Sequence, residues 1–225
     1  MGERINFKRP DGKEAAGYLA RAAKAGAPGL VVVQEWWGLN DQIKGIVDRF
    51  AAAGFNALAP DLYAGRVVPY HDADAANAEM TSLNFLDATD QIVRGAAQRL
   101  KADGAAKVGV SGFCMGGAMT ILAAARVPEF TAGAPFYGLP PADAAGPDAV
   151  KIPLQGHFAL QDDWCTPQAV KDFEAGLARA GKPHEFFSYD AQHGFMNEAR
   201  PDVHQKKAAD EAWARVVAFF TKNLA

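Results

Sequence analysis

Two cysteines in 225 residues are too few for a disulfide framework, and they suit a reducing compartment. An excess of charge of either sign is also missing: the net charge is −3. No stripe of lysine or arginine marks a nucleic-acid face, so nucleic acid is not an expected partner. No apolar run reaches the length of a membrane span. The first ten residues, Met1 to Pro10, contain no apolar stretch of the kind a secretory signal needs. Asn6 stands where a myristoylation signal at Gly2 would want Ser or Thr. These absences lead to the expectation of a cytoplasmic protein. Low-complexity runs, repeats and linkers are missing too. What remains is a chain that is 49% hydrophobic, enough for one large core, and it reads as a single domain over 1–225.

Periodicity then lays out the elements. Arg4–Phe7 and Glu14–Leu19 flank the turn signal Pro10-Asp11-Gly12 and read as a hairpin. Gly29–Gln34 is a β-branched run typical of a buried parallel strand. Asp41–Ala53 has helical spacing at Ile43, Ile46, Val47 and Phe50, with Gly54 as the stop. Strand Phe55–Ala59 follows. The pattern then predicts a long helix over Asp74–Lys101, with a possible break near Asn84. Further strands are expected at Lys107–Ser111, Thr131–Tyr137, Pro153–Ala159 and His184–Tyr189. Helices are expected at Ala118–Ala125, Pro167–Ala180 and Pro201–Leu224, and a loop over Gly138–Val150. Such alternation predicts an α/β fold: a mostly parallel central sheet with helices on both faces. Reactive groups in such sheets gather at the carboxyl ends of the strands.

The most specific signal lies between the strand at Lys107 and the helix at Ala118: Gly112-Phe113-Cys114-Met115-Gly116-Gly117. Gly-x-Cys-x-Gly between strand and helix is the nucleophile elbow of an α/β-hydrolase fold, with cysteine in place of serine. Small neighbours let the chain turn sharply and let the helix pack close. The free N–H groups at the helix start favour negative charge on the sulfur.

Such a fold needs an acid and then a histidine, in that order, after the nucleophile. Asp162 and Asp163 both follow the strand Pro153–Ala159. Asp162 is preferred because it comes first, while Asp163 is better placed to cap the next helix. His193 follows the strand His184–Tyr189 and precedes Gly194, which suits a side chain placed by a tight turn. The other histidines fit worse. His157 lies inside a strand, as a satisfied core residue does; His184 precedes its strand; His71 and His204 sit on polar segments. In this reading His193 takes the thiol proton and Asp162 orients the ring. The N–H of Met115 is one oxyanion donor. The second comes from the loop after Gly29–Gln34, which is Glu35-Trp36-Trp37-Gly38-Leu39-Asn40.

Taken together, Gln34-Glu35-Trp36-Trp37-Gly38, Pro60-Asp61-Leu62-Tyr63, the elbow, Gln161-Asp162 and His193-Gly194-Phe195 resemble the dienelactone hydrolase family. The resemblance runs in register over nearly the whole chain. It implies a Cys114–Asp162–His193 triad. It implies that Glu35 contacts the resting thiol and takes its proton when substrate binds. It implies Trp36 N–H as partner of Met115 N–H in the oxyanion hole, and no metal or organic cofactor. Trp37 and Phe195 are expected to line the substrate pocket.

The sequence departs from the family in one respect. The family's namesake enzymes hold a substrate carboxylate with arginines, one of them shortly after the histidine. Here Gly194, Phe195, Met196 and Asn197 fill the positions after His193, and Pro69–Met80 carries Asp72, Asp74 and Glu79 but no cation. Arg66 and Arg200 are the residues that could supply one by folding over the site. The expected substrate is therefore a small ester or lactone, a neutral one before an anionic one, cleaved through a thioacyl-enzyme. A carboxymethylenebutenolidase of aromatic-compound catabolism is the neighbouring alternative. A thiol redox protein, with Cys165 resolving Cys114, is the alternative of another class. The spacing of Gly109, Gly112 and Gly116 does not match a dinucleotide fingerprint. The expected assembly is a monomer or a small homo-oligomer.

Overall fold

The computed structural model describes residues 1–225. An opening hairpin pairs β1 (Glu3–Lys8) with β2 (Glu14–Ala20). Then come β3 (Gly29–Val33), α1 (Asp41–Ala52), β4 (Asn56–Pro60), α2 (Ala73–Ser82), α3 (Phe85–Asp87) and α4 (Arg94–Ala102). The elbow joins β5 (Val108–Phe113) to α5 (Met115–Arg126). The chain ends with β6 (Phe130–Phe136), β7 (Leu154–Gln161), α6 (Pro167–Arg179), β8 (His184–Gln192) and α7 (Lys206–Leu224). All eight strands form one sheet in the order β1-β2-β4-β3-β5-β6-β7-β8. Pairing is parallel from β4 to β8 and antiparallel at β1 and β2.

Two-residue alternation explains the helices on both faces. In β3, Leu30 and Val32 point to one core, while Val31 and Val33 point to the other. In β4, Ala57 and Ala59 face the first core and Leu58 the second. The first core is closed by α1 and α7, through Ile43, Val47, Phe50, Val216 and Phe220. The second is closed by α4 and α5, through Ala96, Leu100, Met119 and Ala123. Leu177 of α6 extends that layer over Leu154 of β7. No helix is long and apolar enough to cross a membrane.

One expected helix carries its expected break and another needs correction. The segment Asp74–Lys101 is interrupted near Asn84 as its pattern suggests. It breaks at Leu83, and the Asn84 side chain accepts from Asp87 N–H to start the next piece. A π-helical stretch, Ala88–Val93, then leads into α4. The last helix starts at Lys206, not Pro201. The residues before it are tied back to the core instead: Gln205 N–H and His204 both bond the Phe195 carbonyl.

Candidate active site

The elbow is built by close approach of backbone to backbone. A Cβ on Gly112 would lie 2.1 Å from the Gly116 carbonyl oxygen. One on Gly116 would lie 2.4 Å from the Val33 carbonyl oxygen. Only glycine lets α5 sit this near the ends of β3 and β5. Between them Cys114 is held at φ 55 and ψ −117, a conformation that costs a non-glycine residue of order 1–3 kcal/mol. Its own N–H donates to the Phe136 carbonyl at 3.1 Å, which fixes the turn against β6.

Around Cys114 the carboxyl ends of β3, β7 and β8 deliver the remaining groups. Asp162 follows β7 and is buried. Its Oδ2 lies 2.8 Å from His193 Nδ1, and its Oδ1 accepts from the N–H groups of Trp164 and Cys165, each at 2.8 Å. Asp163 faces the cavity and makes no bond to His193. The alternatives left open by the sequence are thus separated by geometry: Asp162 holds the ring. Burial alone would discharge His193. The hydrogen bond with Asp162, with the nearby Asp162 and Cys114 groups adding to it, outweighs that cost and lifts the imidazole to about 10.

Glu35 follows β3 and is buried at the cavity wall. Its Oε1 accepts from the Tyr137 hydroxyl at 3.0 Å and its Oε2 from Asn197 Nδ2 at 2.7 Å. It lines the same cavity as Cys114, and its hydrogen bonds in this arrangement go to Tyr137 and Asn197 rather than to the thiol. Burial raises the Glu35 carboxyl above its ordinary range, against the pull of those two donors. Asn197 also meets Tyr70, whose hydroxyl accepts from Asn40. Sequence reasoning missed Tyr137 and Asn197. Tyr137 is just past β6 with φ 36, and Asn197 is in the turn after His193. No spacing rule links either to Glu35.

Two backbone N–H groups beside the cavity lack an acceptor within the chain. Met115 is the first residue of α5, where an N–H has no partner within the helix. Trp36 N–H likewise bonds to no other part of the chain. These are the donors named from the motif and the resemblance.

The cavity over Cys114 has a volume of about 250 Å³. Trp36, Trp37, Met80 and Trp164 give it apolar walls; Gln161, Gln192 and Asn197 give it polar ones. Trp37 is therefore where it was expected. Phe195 is not. It is fully buried, with its ring 5.3 Å from Tyr137 and 5.2 Å from Tyr189. The tight turn at Gly194, at φ 83, swings it inward to the core between β8 and α7. Arg200 does reach the cavity wall. Asp202 pairs with it at 2.6 Å, and its guanidinium lies 5.8 Å from the Trp37 ring centre. Arg66 is bonded to Glu79 and points away.

Cys165 is buried against Phe158 and Val170, and burial pushes its thiol up to about 12. That environment suits packing and opposes the thiolate a resolving cysteine needs. No group of three or more His, Cys, Asp or Glu side chains is arranged to hold a metal ion.

A strand-to-helix cysteine elbow, an Asp–His pair and two free amide donors at the carboxyl edge of a parallel sheet define an α/β-hydrolase site. The dienelactone hydrolase family profile matches residues 15–224. The chain belongs to that family of hydrolases. It is 36% identical to "Protein usf" of Aquifex pyrophilus, with all of both chains covered. It is 34% identical to a chain of Aquifex aeolicus named "Putative carboxymethylenebutenolidase", again over the full length of both. Among solved structures, a Klebsiella pneumoniae protein described as "Putative Dienelactone Hydrolase" superimposes with a TM-score of 0.83 at 26% identity. That match covers 98% of this chain and 99% of the other.

Proposed function

We propose that this enzyme hydrolyses carboxylic esters or lactones with Cys114 as the nucleophile. The observation that carries the reading is the 2.8 Å bond from Asp162 to His193, set beside a cysteine held in a strained elbow. In this reading His193 accepts the thiol proton, and the sulfur attacks the carbonyl carbon. The oxyanion that forms takes hydrogen bonds from Trp36 N–H and Met115 N–H. The carbon–oxygen bond to the leaving group breaks, and His193 returns the proton to the departing oxygen. This leaves a thioester on Cys114. Water, deprotonated by His193, then attacks the thioester, and the acid leaves with the thiol restored. Glu35 is the second acceptor available to the thiol proton, once it is freed from Tyr137 or Asn197. The expected substrate is a small molecule, and no cofactor enters any step.

The test is direct. Wild-type enzyme incubated with p-nitrophenyl acetate and quenched early should carry an acetyl group on the Cys114 peptide by mass spectrometry. Hydrolysis without a Cys114 adduct, with full activity in Cys114→Ala, would overturn the reading.

A narrower activity, cleavage of an anionic dienelactone, has one observation in its favour: Arg200 on the cavity wall. Against it, Asp202 already neutralises that guanidinium. A buried carboxylate without its own cation costs several kcal/mol. The neutral methyl ester should therefore outcompete the anionic lactone by about tenfold in kcat/KM, a difference of about 1.4 kcal/mol. Preference for the anion, lost in Arg200→Ala, would establish the narrower activity.

A further inference from the structure

Trp164 is 72% exposed, more than any other large apolar side chain except Met1. Exposure of this kind marks a contact surface more often than a lone surface leucine does. Its position is specific. Trp164 lines the cavity over Cys114, and its ring centre lies 5.5 Å from that of Trp36. The same residue also lines a neighbouring groove of about 640 Å³. The Trp164 backbone cannot drift, because its N–H and that of Cys165 both donate to Asp162 Oδ1 at 2.8 Å. The same carboxylate that holds His193 thus fixes the indole relative to the reactive sulfur.

The groove is mostly apolar. Leu139, Pro140, Pro141 and Pro147, from the segment after β6, line it together with Phe173 of α6. Asp172 and Arg179 are its only charged lining groups, and their signs cancel. An ionic ligand would gain nothing net there, and a hydrocarbon would cover exposed apolar surface. The reactive cavity, at about 250 Å³, is below the usual range for ligand sites, so a substrate of any length must leave it by some route.

Resting on the ester-hydrolase reading, we propose that this groove binds an unbranched hydrocarbon arm of the substrate. The arm runs from the carbonyl at Cys114 across Trp164 and lies along the proline segment and α6. The preferred esters are then medium-chain ones, and Trp164 is the residue that joins the two compartments.

Ala142 and Ala169 line the groove, are exposed, and do not touch the reactive cavity. Ala142→Phe and Ala169→Phe should fill the groove while leaving the fold intact. Two ester series test the idea: p-nitrophenyl esters with acyl arms of increasing length, and acetate esters with alkoxy arms of increasing length. In wild type, kcat/KM in one series should climb with each methylene, by at most about fourfold per buried CH₂. In both variants the two-carbon ester should be cleaved as in wild type, and the climb should be lost. A second readout needs no turnover: 2-decanone should quench tryptophan fluorescence at much lower concentration than 2-butanone, in wild type and not in the variants. Cleavage of the short ester with flat series, and no preference for 2-decanone, would overturn the groove and leave the hydrolase reading standing. Selective 2-decanone binding without ester cleavage would do the reverse. Flat series with a wild-type dimer that Trp164→Ala splits, seen by light scattering, would assign the surface to a second copy of the chain and also overturn the proposal.

Discussion

His157 and His193 make hydrogen bonds of the same length and end with opposite chemistry. Nδ1 of His157 lies 2.8 Å from the Tyr189 hydroxyl; Nδ1 of His193 lies 2.8 Å from Asp162 Oδ2. Both rings are largely shielded from water, and burial opposes the charged form in both. At His157 nothing answers that cost. Tyr189 is neutral, the Arg215 guanidinium adds repulsion, and the ring falls to about 3. It stacks flat on Phe136 at 4.4 Å and leaves Nε2 without a partner. At His193 the acceptor is a carboxylate and a sulfur stands on the other side, so the ring is lifted to about 10. The partner's charge, not distance or depth, decides whether a histidine in this sheet is core filler or a base.

The largest expected effect separates the two rings by activity. His193→Ala and Cys114→Ala should each lose several orders of magnitude in kcat for p-nitrophenyl acetate, as a triad that acts as a unit does. His157→Leu should keep turnover within a few-fold of wild type while melting differently. Comparable losses at both histidines, measured on folded protein, would erase the distinction.

Removing only the charge that distinguishes the rings comes next. Asp162→Asn keeps an oxygen for the Trp164 and Cys165 N–H groups but takes away the carboxylate that fixes the tautomer. A drop of about 10²–10⁴ in kcat is expected, against little change for Asp163→Asn. Imidazole proton shifts followed by NMR should place His193 well below its wild-type value in Asp162→Asn. A reversed order of the two variants would hand the role to Asp163.

The third test concerns stability. His157 binds its proton at about 3 when folded and near 6.5 when unfolded. The unfolded chain therefore takes up the extra proton as pH falls. Stability from keeping this ring neutral is complete above about 6.5 and is lost steadily toward pH 3. His193 has the opposite sign: its contribution is complete below 6.5 and is lost as pH rises through about 10. A tenfold change in proton affinity is worth about 1.4 kcal/mol, so the acid-side loss from His157 amounts to a few kcal/mol. Denaturant midpoints between pH 6.5 and 4 should fall less in His157→Leu than in wild type. Parallel slopes would mean that other groups carry the acid sensitivity.

Much of this was legible in the residues, for identifiable reasons. The run Gly29–Val33 reads as a strand because its alternating side chains must be apolar on both faces. Gly112 and Gly116 betray the elbow because no other residue fits against backbone at 2.1 and 2.4 Å. Chain order then leads to Asp162 and His193. What spacing could not convey is contact between side chains far apart in sequence. Tyr137 meets Glu35 across 102 residues, and Asn197 meets it across 162. Phe195 was misplaced because alternation along β8 says nothing about the direction taken after Gly194. Arg200 lies seven residues past His193 and still returns to the cavity, since Phe195, His204 and Gln205 bind that turn to the core.

The smallest expected effect concerns Glu35, which falls on the His157 side of the comparison although it belongs to the site. Its hydrogen-bond partners, a phenol and an amide, are neutral. Burial therefore prevails over them and over the more distant charges of His193 and Arg200, and the carboxyl is displaced toward its protonated form. His193, lifted to about 10, is the better first acceptor for the thiol proton. If Glu35 assists only when substrate loosens its hold on Tyr137 or Asn197, its loss should slow acylation without stopping it. Glu35→Gln should lower the stopped-flow acylation rate by about tenfold, a barrier change of about 1.4 kcal/mol. Asn197→Ala removes the shorter of the two donors and should push the Glu35 carboxyl further toward protonation. Its acylation rate should then approach that of Glu35→Gln and recover as pH is raised, a dependence that the glutamine variant cannot show. Acylation at the wild-type rate in both variants would leave His193 as the sole base and reduce Glu35 to part of the cavity wall.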